Sequence, residues 1–226
     1  LYKGSFPARF GGRLSSVVDV RMKDGDDKKI RGTASIGLIS SKIQVEGPII
    51  KEKTTFNVSA RRTYIDLLAQ PFVKMYAKQE DSENKVGGGY YFYDLNAKFT
   101  HKISDRDRLY LSAYMGDDAI YANVKTRDRQ SANYDEKNYT KLNWGWGNVI
   151  TSLRWNHLIN SRLFMNTTAS FTRYRSNLKL GSEVEETNKS RTPHVTTTTE
   201  SSLGYRSGIH DWTAKVDFDY TPNPSH

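Results

Sequence analysis

The stretch PARFGGRLSSVVDVRMKDG, residues 7–25, decides how the fold of this 226-residue chain is interpreted. It opens with a basic turn that contains the adjacent glycines Gly11 and Gly12, and a short strand is predicted at 15–22. The tripeptide at 23–25 then breaks this strand. Beyond the break the chain becomes a long series of segments in which polar and apolar residues alternate. This order predicts a compact element that leads into a large sheet.

Alternation with a period of two residues dominates the rest of the sequence. Leu95, Ala97 and Phe99 fall on one face of a predicted strand, whereas Asn96 and Lys98 fall on the other. Such a pattern is typical of strands with one polar and one apolar face. It recurs at 55–61, 109–115, 148–156, 163–172 and 212–220, after a shorter strand pair at 31–48. About eight antiparallel strands are predicted, so the fold class is all-β, with helical periodicity nearly absent.

The predicted connections alternate between short and long. Short turns are predicted near Lys51, Asp105, Asn160 and Asn223, and long loops at 68–90, 119–143 and 176–197. Short turns at one end of a sheet and long loops at the other are typical of outer-membrane β-barrels. Aromatic residues near the predicted strand ends resemble the interfacial belts of such barrels. They include Trp144, Trp146, Trp155, Trp212 and Tyr220.

Composition excludes several classes of protein. The sequence has no apolar run of the roughly 18 residues that a spanning helix needs. It has no cysteine, which excludes disulfides and thiolate metal sites. The net charge is +9, but the lysines and arginines are spread along the chain and mixed with 25 acidic residues rather than gathered in a stripe. A nucleic-acid partner is therefore not expected. No signal peptide is visible, and we expect an export signal upstream of Leu1.

Two stretches carry a resemblance to a known family. Residues 7–25 resemble the plug-to-barrel junction of TonB-dependent outer-membrane receptors, whose plugs commonly end in an Ala-Arg-Tyr/Phe-Gly turn and a terminal strand. Residues 32–68, GTASIGLISSKIQVEGPIIKEKTTFNVSARRTYIDLL, resemble the first barrel strands of such receptors. The resemblance implies that residues 1–30 end a plug domain and its linker. It implies that residues 31–226 form the N-terminal part of a transmembrane antiparallel β-barrel, larger than eight strands because an eight-stranded barrel has no room for a plug.

The resemblance also implies a function. Receptors of this family import scarce, bulky nutrients such as glycans, peptides, iron chelates or cobalamin across the outer membrane. An inner-membrane energy-transducing protein drives import through a region upstream of the plug, which this sequence does not contain. The closest similarity is to nutrient-uptake receptors that work with surface lipoproteins. The implied location is the cell outer membrane, in contact with its lipids, with no cofactor and no enzymatic activity.

Plug arginines that bind acidic residues of the barrel wall hold the plug in this family. Arg9 and Arg13 match the plug turn, so the resemblance assigns this latch role to them, although both could be ordinary solvated charges. Charge-assisted pairs of this kind are strong enough to hold and can be broken by force. The acidic partners predicted on the wall are Asp94, Asp217 and Asp219, with Glu46 as a weaker candidate.

Candidate ligand contacts are the tyrosines of the predicted loop 119–143, which are Tyr121, Tyr134 and Tyr139. Aromatic faces can stack on sugars or aromatic chelates, although these tyrosines could also merely order the loop. Trp144 and Trp146 are interpreted as membrane-belt anchors. The five histidines are scattered without metal-ligand spacing, and no serine has a nucleophile-elbow context, so no metal site and no catalytic residue are predicted.

Three other interpretations stay open at this point. The chain could be a self-contained small outer-membrane barrel that acts as an adhesin or structural anchor. It could be a secreted β-sandwich that binds glycans. An outer-membrane barrel hydrolase would need a clustered Ser/His/acid set, which the sequence does not offer.

Overall fold

The structure, a computed structural model, describes residues 21–79, 85–131, 133–190 and 192–222. In these ranges the chain forms one helix, α1 (Ile65–Gln79), and eight strands. The strands are β1 (Arg31–Ile36), β2 (Ser40–Ile50), β3 (Thr54–Thr63), β4 (Lys85–Lys102), β5 (Asp107–Ser131), β6 (Tyr134–Asn160), β7 (Leu163–Asn188) and β8 (Val195–Tyr220). Most of the predicted strand 15–22 lies outside the described residues, and Arg21 and Met22 are not in a strand.

All eight strands belong to one antiparallel sheet, in which each strand pairs with its neighbours in sequence. The prediction of an all-β antiparallel fold is confirmed. The described sheet is open, with β1 and β8 at its edges, and is not closed into a barrel. It is also a single layer rather than the two packed sheets of a sandwich.

One face of the sheet is apolar in its lower half, the half with the short turns, and we call it the outer face. Strand pairing aligns a cross-strand row on this face that consists of Phe56, Phe99, Leu111, Leu153, Ala169 and Ala214. The rows beside it on the same face are also largely apolar, and we call the set the apolar band. Its large side chains are exposed, at 39% for Phe99, 43% for Leu111 and 49% for Leu153.

The opposite, inner face is polar at the same height. The adjacent row consists of Asn57, Lys98, Ser112, Ser152, Ser170 and Thr213. Among the described residues, Tyr110 is the only hydrophobic residue in the buried class, whereas Glu46, Asn57, Lys98 and other polar residues are buried. Soluble domains bury apolar side chains and expose charged ones. This sheet has the reverse arrangement.

The height of the apolar band approaches that of the band in outer-membrane barrels. On β8 it runs from Trp212 to Tyr220, which at ~3.3 Å per residue is about 26 Å along the strand. At the strand tilt of about 35–45° found in such barrels this is about 19–22 Å in height. Outer-membrane barrels have an apolar band about 25 Å tall. Among the described residues, no helix has the length and apolar content needed to cross a membrane.

The prediction of long loops is largely wrong. Short turns do lie near Lys51, Asp105 and Asn160, but the segments 119–143 and 176–197 are mostly strand. The strands β5 to β8 are 25 to 27 residues long and pair throughout, so they form two long hairpins above the band. The physical reason is that pairing satisfies the backbone of both strands, and these segments contain few residues that would end a strand.

Helix α1 replaces most of the loop predicted at 68–90. The helical spacing i, i+3, i+7 and i+10 is followed by Ile65, Leu68, Phe72 and Met75, and this signal runs into the segment predicted as a loop. The strand β3 ends at Thr63, so the upper part of β4 has no strand on that side, and α1 packs against β4 there. The helix therefore covers a strand edge that would otherwise be open.

A polar row closes the apolar band at its upper edge on the outer face. Asp117 accepts hydrogen bonds from the Tyr93 hydroxyl at 2.8 Å and from Arg175 Nη2 at 2.9 Å. Arg175 lies two strands away and reaches across Gly147, its partner on β6. A Cβ at position 147 would collide with the Asp117 carboxylate, so glycine is what allows this ion pair to form.

The tip of the β5–β6 hairpin is held by a second ion pair. Arg127 donates from Nε and Nη2 to the two carboxylate oxygens of Asp135 at 2.8 and 2.5 Å. Hydrogen bonding to the Arg127 guanidinium lowers the pKa of Asp135 to about 2. This two-bond geometry is the strong form of a charge-assisted pair.

We predict that Gly147→Ala destabilises the sheet by about 1–3 kcal/mol, because the new methyl group displaces Asp117 from Arg175. The free energy of unfolding in urea, measured on protein refolded into detergent micelles, checks this. Gly145→Ala is the matched control, since its Cβ would meet only the Asp118 carbonyl oxygen at an ordinary 3.6 Å. Equal losses in the two variants would contradict the role assigned to Gly147.

We also predict that the β5–β6 tip loosens in acid. The folded-state pKa of Asp135 lies below its ordinary value of about 3.9, so the stabilisation is complete above that value and is lost as the pH falls towards about 2. A nitroxide on Ser131→Cys should gain mobility over this range. Asp135→Asn should make the label mobile at neutral pH, whereas Asp128→Asn should behave as the wild type. A label mobility independent of pH in the wild type would contradict the role assigned to the Arg127–Asp135 ion pair.

Candidate functional site

Residues 22–24 lie against the inner face, and the segment 21–30 to which they belong has no helix or strand structure of its own. The Lys23 ammonium contacts Glu46 Oε1 at 2.8 Å, and the Glu46 side chain is only 8% exposed. Asn57 Nδ2 donates to the Lys23 carbonyl at 3.2 Å and to Glu46 Oε2 at 3.3 Å. The sheet therefore supplies a buried carboxylate, held by Asn57, to a cation of the segment.

A second ion pair of opposite polarity lies beside it. Lys98, with a side chain only 8% exposed, contacts the Asp24 carboxylate at 2.6 Å and donates to the Met22 carbonyl at 2.7 Å. Thr100 donates to the same carboxylate at 3.0 Å. A Cβ on Gly25 would collide with the Phe56 carbonyl, so glycine permits this close approach. The segment is thus held by two buried sheet charges of opposite sign.

A polar cavity of about 1000 Å³ lies between residues 21–24 and the inner face. The Tyr110 ring in its wall has the Lys98 ammonium 5.3 Å and the Arg154 guanidinium 4.3 Å from its centroid, which is cation–π geometry. Arg154 Nε and Asn166 Oδ1 in the same wall are buried without a hydrogen-bond partner. These atoms leave the wall able to bind further polar groups.

The predicted latch residues are only partly described. Arg9 and Arg13 lie outside the described residues. Asp94 is on the inner face, as predicted, but its carboxylate is bound by Arg61 of the neighbouring strand at 2.6 Å. Asp217 lines the polar cavity and contacts Lys215 at 3.1 Å, and Asp219 is the next inner-facing residue on β8. Glu46, the weaker candidate, is the wall carboxylate that contacts the described segment.

An aromatic cluster lies higher on the inner face, and we call its four members, Tyr90, Phe92, Trp144 and Trp146, the inner aromatic patch. The two tryptophan rings are 4.9 Å apart, and the Tyr90 and Phe92 rings are 6.1 Å apart. Trp144 Nε1 donates to Ser176 Oγ at 3.1 Å. The Tyr90 hydroxyl donates to Asp118 at 2.6 Å, and this bond raises the pKa of Tyr90 to about 12. Fixed aromatic faces of this kind can stack on sugar rings or planar ligands.

The interpretation of Trp144 and Trp146 as membrane anchors is wrong. Both share the inner face with Ser152 and Arg154, because the register of β6 is unbroken between them. Side chains of a strand alternate faces, so even positions of β6 cannot reach the apolar band. Sequence parity alone could have placed both tryptophans correctly. Trp155, at an odd position, does lie on the outer face.

The predicted ligand tyrosines do not join this patch. Tyr121 and Tyr139 lie on the outer face of the long hairpins, and Tyr134 is the first residue of β6 at the tip. The structure therefore does not bring the three together. Within the described ranges, no three His, Asp or Glu side chains form a group that could hold a metal ion.

Comparison with known proteins gives one weak structural match and no sequence match. No protein-family profile matches the sequence. No curated protein matches it either. Among solved structures, the chain has a weak structural match to the siderophore receptor PirA from Acinetobacter baumannii, with 10% sequence identity and a TM-score of 0.22. The match covers 89% of this chain and 40% of that receptor chain, so the chain spans less than half of the receptor's length.

We predict that removing the two wall charges releases the segment 21–30. Each half-exposed pair is worth about 0.5–1 kcal/mol, so each loss should raise the open population twofold to fivefold. The open population is measured by the rate at which a water-soluble maleimide labels Met22→Cys. This rate is compared with and without the double substitution Glu46→Gln/Lys98→Gln. Asp94→Asn, which breaks an inner-face pair that does not touch the segment, should leave the rate unchanged. A rate unaffected by the double substitution would argue against the two contacts.

Proposed function

We propose that this chain forms part of the wall of a TonB-dependent outer-membrane transporter that imports a scarce, bulky nutrient. The observation that carries the proposal is the combination of an exposed apolar band on one face with a charged segment held on the other. A lipid-facing outside and a polar inside is the arrangement of a transmembrane barrel. A segment held inside by ion pairs fits a plugged barrel.

Membrane insertion explains why large apolar side chains such as Leu153 are exposed while Glu46 and Lys98 are buried. Lipid would cover the band, since isolated apolar patches of this extent are rare on soluble monomers. An open sheet cannot persist in lipid, because unpaired edge groups there cost several kcal/mol each. We therefore propose that further strands close the barrel between β1 and β8.

Gating would act on the segment and its wall contacts. Lys23 and Asp24 are bound by single, partly solvated ion pairs, which stabilise the resting position but resist force only modestly. An inner-membrane energy-transducing protein, pulling from upstream of this sequence, would break them. Arg9 and Arg13 would add latch contacts to Asp217 and Asp219, with no covalent chemistry in the cycle.

The inner aromatic patch is the ligand contact that we propose. It lies above the polar cavity on the same face, so a ligand bound there would meet the segment next. Trp144 and Trp146 offer faces for sugar rings or for aromatic groups of a chelate. Glycans, peptides, iron chelates and cobalamin are the candidate nutrients, and a surface lipoprotein would assist capture.

Membrane insertion is tested by single cysteines, each unique because this 226-residue sequence has none. A nitroxide on Leu153→Cys should be accessible to dissolved oxygen and shielded from a soluble nickel complex. The adjacent Ser152→Cys, on the inner face, should show the reverse in the same vesicles. A nickel-accessible label at position 153 would refute the membrane assignment.

Ligand capture is tested by tryptophan fluorescence with an oligosaccharide, an oligopeptide, a ferric chelate and cobalamin. We expect saturable binding of one class, weakened about twofold to tenfold in Trp144→Ala and unchanged in Trp155→Ala. Uptake by cells should likewise be reduced in Trp144→Ala and unchanged in Trp155→Ala. It should stop when an uncoupler collapses the inner-membrane proton gradient. Uptake that continues in uncoupled cells would identify a passive pore instead.

A further inference from the structure

The outer face becomes positively charged directly above the apolar band. Four cross-strand rows lie above the band, and the Tyr93–Asp117 row is the lowest of them. On strands β3 to β8 these rows carry one carboxylate and five cations. The cations are Arg62, Arg175, Arg206, Lys179 and Lys141. Asp117 is already bound to Arg175, and Asp66 of α1 adds one carboxylate beside Gly89 and Tyr121. The described part of this surface therefore keeps an excess of positive charge.

An open cavity of about 560 Å³ lies within this surface. Gly145, a small floor residue, separates the Tyr91 and Tyr121 rings on one side from Lys179 and Arg206 on the other. The register places Lys179 and Arg206 diagonally across β7 and β8, about 7–8 Å apart at Cα. In the described part of the chain, neither cation has a hydrogen-bond or ion-pair partner.

The cavity has the depth of lipid headgroups. Gly145 is two residues above Gly147, which lies in the polar row that closes the apolar band on β6, and this is about 7 Å along the strand. At a strand tilt of about 45° this becomes roughly 5 Å along the membrane normal. The polar region of each leaflet begins at the edge of the hydrocarbon core and is about 5–8 Å deep. Tyr91 and Tyr121 fit this level, where tyrosine is enriched.

We propose that this cavity binds the phosphate group of a membrane lipid, with Lys179 and Arg206 pairing with the phosphate oxygens. The proposal rests on the membrane placement proposed above. A lipid fits better than a soluble phosphate compound because the cavity lies on the outer face, only one polar row above the apolar band. Acyl chains attached to a bound headgroup would pass the Asp117–Arg175 row and lie along Met115 and Val149. Arg is suited to a two-bond contact with phosphate, and Lys adds a point charge.

The test uses the protein in nanodiscs of phosphatidylcholine with a minor share of phosphatidic acid. Native mass spectrometry after detergent release counts the phosphatidic acid that stays bound. We expect enrichment in the wild type, and a loss in affinity of about fivefold for each cation removed in Lys179→Gln/Arg206→Gln. Lys42→Gln/Arg108→Gln removes the same charge from the inner face and should keep the wild-type enrichment.

Equal enrichment in the Lys179→Gln/Arg206→Gln variant and the wild type would overturn the site. Displacement of the bound lipid by soluble glycerol phosphate at similar concentration would overturn the assignment to a lipid and identify a soluble phosphate ligand. Failure of the membrane proposal is seen separately, as a nickel-accessible nitroxide on Leu153→Cys in the same nanodiscs. That result would overturn both proposals, whereas loss of lipid preference alone would overturn only this one.

Discussion

The unbroken register between β4 and β8 is the constraint on which the rest of the structure depends. Because side chains alternate along each strand, pairing without a shift fixes the face of every residue over almost the whole described length of these strands. It puts Leu111 beside Leu153 on one face and Ser112 beside Ser152 on the other. Bulges are confined to strand ends, such as the step between Asp128 and Ser131. The apolar band, the polar cavity and the cationic surface all follow from this alignment.

The same register reverses the polarity of the two faces with height. Near the short turns the outer face is apolar and the inner face binds Lys23 and Asp24 through buried charges. Above the Asp117–Arg175 row, the outer face carries Lys179 and Arg206, while aromatic residues such as Trp144 gather inside. A sheet that crosses from lipid into water would need this change on its outer face, because the solvent at that face differs with height. The row in which it happens is also the row that Gly147 holds together.

Period-two alternation was sufficient to predict an all-β sheet, the number of strands and the short turns near Asp105 and Asn160. It failed above the band, where polar residues fill most of 125–143 and the strand signal is weak, so the sequence predicts loops where the structure has strands. Helix α1 was missed although Ile65, Leu68 and Phe72 have helical spacing, because one short helix is weak against a strong strand pattern. The face of Trp144 was predictable from parity. The contacts of Glu46 and Lys98 with the segment were not, because they join positions as far as 76 residues apart in sequence.

The paired extension of β5 to β8 restricts how this protein can change its length during evolution. An odd insertion in one strand would turn every residue beyond it to the wrong face, and an unmatched insertion would break the ladder with the neighbouring strand. Viable length variants above the band should therefore differ by matched dipeptides on both strands of a hairpin. Homologous hairpins would then be compared by counting steps of two, and a gap of one residue in an alignment would mark a bulge or a misplaced boundary.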